Sequence, residues 1–93
     1  MRLVVAGRAA TRLRDIGSHI ARDNPAASLR VERAFREAFD RLVAQPGLGR
    51  PFSREVRRYI MPRLPYLIFY RPDESTDELL ILTVRHAKQR PLS

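Results

Sequence analysis

Residues 64–71 read LPYLIFYR, an apolar run closed by an aromatic and an arginine. Side chains alternate along a strand, so Leu67 and Phe69 point to one face while Tyr66, Ile68 and Tyr70 point to the other. Neither face is polar. A strand of that kind belongs in the middle of a sheet covered on both sides. A chain of 93 residues has material for one core and little beyond it. The fold turns on what covers the second face of this strand.

Outward from that strand, the pattern on both sides is β. Residues 72–78, PDESTDE, hold four acids and a proline and read as a polar turn; residues 79–85 form a last apolar strand. Upstream, PRLP at 62–65 is a turn and residues 56–61 a strand, so 56–85 reads as an antiparallel meander. QPGLGRP at 45–51, with two prolines and two glycines, breaks whatever precedes it. What precedes it is helical. Ala9, Leu13, Ile16 and Ile20 share one face of a first helix, weakened by Gly17 and ending near Asp23. DNPAA at 23–27 restarts the chain, with Asn24 as cap and Pro25 as a preset first turn. In the second helix Ala27, Val31, Phe35, Ala38 and Leu42 keep helical spacing, and Phe39 widens the stripe. Glu32 with Arg36, Arg33 with Glu37, and Glu37 with Arg41 are opposite charges four apart, each supporting the helix by about 0.2–0.5 kcal/mol. Leu3, Val4 and Val5 form an opening strand. The expected fold is α+β: an N-terminal strand, then a two-helix hairpin packed on a small antiparallel sheet, in the order β-α-α-β-β-β, as a single domain over residues 1–93.

Charge narrows the partners. The chain carries 18 basic and 10 acidic residues, a net charge of +8, and 17 of the bases are arginine. Four acids sit in the 72–78 turn, so the remainder is more basic still. Residues 50–71 hold arginines at 50, 54, 57, 58, 63 and 71 against the single acid Glu55. Such a field attracts nucleic acid or an acidic protein. There is no cysteine, which removes thiol chemistry and thiolate metal sites, and with His19 and His86 as the only histidines neither a protein-made zinc site nor a cofactor is expected. The apolar stretch in MRLVVAG is too short for a signal peptide and nothing in the chain reads as a membrane span, which gives a cytoplasmic expectation. A plain nucleic-acid-binding domain is disfavoured, because the sequence shows neither a helix-turn-helix turn nor the aromatic–basic stripe of an RNA-recognition sheet.

Taken in order, LRDI in the first helix, DNPAA, GLGRP, YLIFYR and VRHAKQR resemble the ParE and RelE superfamily of bacterial type II toxins, over nearly the whole chain. The resemblance implies a helical hairpin on a small sheet and a cognate antitoxin that folds over the toxin as it binds. Candidates to meet that antitoxin are Leu13, Ile16, Ile20, Phe35, Phe39, Tyr66, Ile68 and Tyr70.

Two activities are implied by the superfamily. RelE-like members cut messenger RNA on the ribosome and need a general base, a general acid and cations on the phosphate. Here that set would be Arg57, Arg58, Arg63, Arg71, Arg85 and His86. Arginine holds its proton too tightly for acid–base work, and no lysine precedes Lys88 and no tyrosine follows Tyr70. His86 is left as the one proton-transfer candidate, and a structural hydrogen-bonding role is the preferred reading of it. ParE-like members inhibit DNA gyrase without a catalytic site, and DNPAA, GLGRP and YLIFYR lie closer to them. On that reading Arg57, Arg58, Arg85, Lys88 and Arg90 dock on gyrase or its DNA. Arg50 secures the turn after the hairpin, Glu55 pairs with a neighbouring arginine, and His19 faces solvent.

Overall fold

The computed structural model describes residues 1–88. The elements are β1 (Arg2–Val5), α1 (Gly7–Asp23), α2 (Pro25–Ala44), β2 (Arg50–Ser53), β3 (Val56–Ile60), β4 (Tyr66–Asp73) and β5 (Glu78–His86). The class is the expected α+β. The sheet differs from the expectation in two respects, having five strands and mixed direction.

The strand order is β1-β5-β4-β3-β2, so the apolar β4 is the middle strand, where its two-faced pattern requires it to be. β2 to β5 run antiparallel in sequence, while β1 lies parallel to β5. A parallel neighbour cannot be reached by a tight turn; the long excursion through hairpin and meander brings the chain back beside β1. β2, which the reading of 45–51 as a break passed over, pairs with β3 at the sheet edge through an irregular register. Pro51 is tolerated there because an edge strand need not donate on its outer side.

The helices turn as their sequence dictates. The Asn24 side chain accepts from the Ala27 amide at 3.0 Å, and Pro25 opens α2. The Ser28 hydroxyl donates to the Gly17 carbonyl at 2.8 Å and ties the two helices together. Glu32 and Arg36 pair at 3.0 Å, whereas Arg41 turns to the sheet and donates to the Tyr59 hydroxyl at 2.9 Å.

All the helical packing is on one face of the sheet. Ala9, Phe35, Ala38 and Leu42 from the hairpin meet Ile68, Tyr70, Leu79, Ile81 and Val84 from the strands in one core. Phe69 is buried as well, yet lies outside this cluster and meets the Phe52 ring edge-on at 4.9 Å. Among the described residues no helix covers that second face.

Candidate functional site

Three features could serve function, and β4 contributes to the first and the third of them. The first is the junction after α2. The Gly49 amide donates to the Tyr70 hydroxyl at 2.8 Å, and that hydroxyl donates to the Pro46 carbonyl at 2.7 Å. Gly49 lies so close that a Cβ there would stand 2.7 Å from the tyrosine ring. Arg57 completes the junction, its guanidinium donating to the Gly49 carbonyl at 2.7 Å and to that of Gly47 at 3.4 Å. Burial raises the Tyr70 hydroxyl above the ordinary tyrosine range, opposed by the Gly49 amide and by the Arg57 charge. The turn role assigned to Arg50 is thus carried by Arg57. Arg50 is exposed on β2.

The second feature is a cleft between the helices. Leu3, Leu13, Ile16, Val31, Phe35 and Phe39 line about 610 Å³, with Arg14, Glu32 and Arg36 on its rim. Leu3 of β1 was not foreseen there, because its place depends on β1 reaching the sheet edge. Of the eight apolar candidates for partner contact, Leu13, Ile16, Phe35 and Phe39 come together in this cleft. Ile20 and Tyr66 are half-buried, with Tyr66 against Phe35 at 5.3 Å between ring centres. Phe35 and Phe39 are buried at the floor of the cleft and belong to the core, and Ile68 and Tyr70 must be corrected, since both have zero exposure on the face of β4 that lies under the hairpin.

The third feature is the helix-free face of the sheet. Register sets Arg85, Leu67 and Ile60 in one row across β5, β4 and β3, and Thr83, Phe69 and Arg58 in the next. Arg50 of β2 is the register partner of Arg58 in the second row, and Phe52, at the irregular step of β2, packs on Phe69 with the Arg58 guanidinium 5.8 Å from its ring centre. Phe52 is 49% exposed and Ile60 61%. Phe52 was missed because β2 was not read as a strand; an aromatic between Pro51 and the turn at 54–55 was the one available signal.

The proposed ribonuclease residues do not converge. Between Phe69 and Tyr70 the register of β4 against β5 shifts, pairing Phe69 with Thr83 and Tyr70 with Ile81. Leu82 is therefore extra, and Val84 and His86 fall on the hairpin side while Arg85 falls on the open side. His86 meets the Tyr66 ring edge-on at 5.5 Å and shares a small pocket with Arg12, Asp15 and His19 of α1. Its Nδ1 accepts from the Lys88 amide at 3.1 Å. Arg58 and Arg85 stand on the opposite face. Arg57 holds the junction, Arg63 is exposed in the 61–65 turn, and Arg71 lies 3.8 Å from Glu55 as an ion pair. His19 is exposed and so is Lys88, while Arg90 lies outside the described residues. No group of three or more His, Cys, Asp or Glu is placed to hold a metal ion among the described residues, and none of their helices is long and apolar enough to cross a membrane.

A two-helix hairpin on one face of a mixed five-stranded sheet is the fold of the RelE- and ParE-like toxins. Residues 3–91 match the family of ParE toxins of the parDE type II toxin–antitoxin system, and the chain belongs to that family. Y4kP of Sinorhizobium fredii, a protein named as a toxin, is 38% identical over 84 residues, covering 89% of this chain and 84% of Y4kP. The chromosomal ParDE toxin–antitoxin system of P. aeruginosa supplies a solved structure with TM-score 0.81 and 27% identity, covering 95% of this chain and 97% of that one. The RelBE2 toxin–antitoxin complex of Mycobacterium tuberculosis matches in fold, with TM-score 0.63, 22% identity, and 91% and 95% of the two chains.

Proposed function

We propose that this ParE-family toxin acts by inhibiting DNA gyrase, without a catalytic site or cofactor, and that a cognate antitoxin neutralises it in the cytoplasm. The observation that carries the choice of a binding toxin over a ribonuclease is the separation of charges from acid–base chemistry. His86 is the late acid–base candidate that the sequence offers, and it shares a pocket with α1. Arg58 and Arg85, which would hold a phosphate, lie across the sheet from it. Cleavage through a 2′-hydroxyl needs these groups within reach of one phosphorus. Docking needs only the cations.

The antitoxin, on this reading, seats an amphipathic segment in the cleft of Leu13, Ile16, Phe35 and Phe39, extending toward Ile20 and Tyr66. An acidic segment suits a chain of net charge +8. Arg58, Arg85 and Lys88, with Arg90, remain the candidates for the target.

Purified chain added to a gyrase supercoiling reaction is expected to stop supercoiling and trap cleaved DNA, and to leave messenger RNA intact in a translating extract. Ribosome-dependent cuts with gyrase unaffected would overturn the reading. A His86→Ala variant of unchanged potency is the expected companion result.

A further inference from the structure

The open face of the sheet brings together what the linear sequence keeps apart. Phe52 and Phe69 are 17 positions apart, yet their rings meet at 4.9 Å, and Arg58 stands over the first of them. The neighbouring row adds Ile60, Leu67 and Arg85. We infer that this face binds single-stranded DNA, with a base stacked on the Phe52 ring and the flanking phosphates held by Arg58 and Arg85. The inference goes beyond the gyrase reading and stands apart from it, since it concerns the chain and an oligonucleotide alone.

Charge and shape select that occupant. The two rows contain guanidinium groups and no carboxylate, and the one acid within residues 50–71, Glu55, is paired with Arg71 at 3.8 Å. A second copy of the chain would bring the same cations against these and be repelled. Duplex DNA offers phosphates but keeps its base faces stacked, whereas Phe52 and Ile60, 49% and 61% exposed, offer apolar surface that an unpaired base can cover and a stacked one cannot. The one hydroxyl in the two rows is Thr83, and the rows hold no side-chain amide, so little there would reward a ribose 2′-hydroxyl.

The test is fluorescence anisotropy of a labelled oligothymidylate of about a dozen nucleotides, titrated with the purified full chain. Binding is expected with a dissociation constant on the order of 10⁻⁵ M at physiological salt, weakening with a logarithmic salt slope of about −1.4 for two phosphate contacts. Phe52→Leu keeps apolar bulk without a ring and should weaken binding about tenfold. Arg58→Ala should weaken it too and make the salt slope shallower by about 0.7. Circular dichroism of each variant confirms that the fold persists. Absence of binding, undiminished binding by Phe52→Leu, or tighter binding of the duplex or of the matching oligouridylate would each overturn the inference. None of these results bears on supercoiling, which the gyrase assay reads separately.

Discussion

Gly49 has no room for a methyl group. A Cβ there would meet the Tyr70 ring and hydroxyl at 2.7 Å and the Arg58 carbonyl at 3.0 Å. The two residues form one device, in which a glycine admits a buried phenol whose hydroxyl satisfies the Gly49 amide and the Pro46 carbonyl together. Tyr70→Phe leaves that amide and carbonyl unpaired and should cost about 1–3 kcal/mol, read by urea denaturation. Gly49→Ala should cost a similar amount, about 1–3 kcal/mol, through overpacking. The raised Tyr70 pKa also has a pH consequence. Because burial disfavours the phenolate in the folded chain, the contribution is fully present below the ordinary tyrosine value of about 10 and is lost as pH rises through the higher folded value. Thermal unfolding followed between neutral and strongly alkaline pH should show this loss, and Tyr70→Phe should remove that part of it.

At the scale of the element, the hairpin depends on its turn more than on its helix formers. Asn24 caps α2 and Pro25 presets it, so Asn24→Ala should lower stability by about 1 kcal/mol. Gly17 presents the opposite case. It lies inside α1, and a Cβ there would meet only the Ser28 hydroxyl at an ordinary 3.6 Å. Gly17→Ala should therefore raise stability by about 0.5–1 kcal/mol while keeping the Ser28 bond to its carbonyl. Both values are measurable by chemical denaturation. A loss of stability in Gly17→Ala would mean that the helices approach more closely than this geometry allows. Both helices and the strands β1, β3, β4 and β5 were legible from periodicity and turn residues. β2 was not, because a four-residue edge strand carrying a proline has too short a pattern to stand out and owes its form to β3.

For the whole molecule, the helical hairpin makes the two faces of the sheet unlike. One holds the core and opens into the cleft, and the other, without a helix among the described residues, is apolar and basic. Leu3 is 36% exposed on the cleft wall and its neighbours on the rim include Arg14 and Arg36. If an acidic antitoxin segment seats there, Leu3→Glu should leave the fold intact and weaken the complex by about tenfold or more, read by calorimetry with the co-expressed partner. The same complex should form more slowly as salt rises, since the field of this chain is screened beyond about 8 Å at physiological ionic strength. An unchanged affinity for Leu3→Glu would move the partner to another surface.

The sequence by itself determined the element order, the caps, the class of fold and the central place of β4, because those follow from local periodicity and from an apolar strand's need for two neighbours. It also carried the family's motifs in order. What only the tertiary structure decided was the assignment of faces. Plain alternation from Leu79 and Ile81 would have put Thr83 and Arg85 under the hairpin and His86 outside. The extra residue Leu82 reverses them, so that Val84 and His86 turn inward and Arg85 joins Arg58 on the open face. A bulge is set by how two strands fit against a packed core, and no single strand's pattern records it. The same reason hid the roles of Arg57 and Phe52, since a guanidinium on a loop carbonyl and a ring on a ring are made by residues distant in the chain.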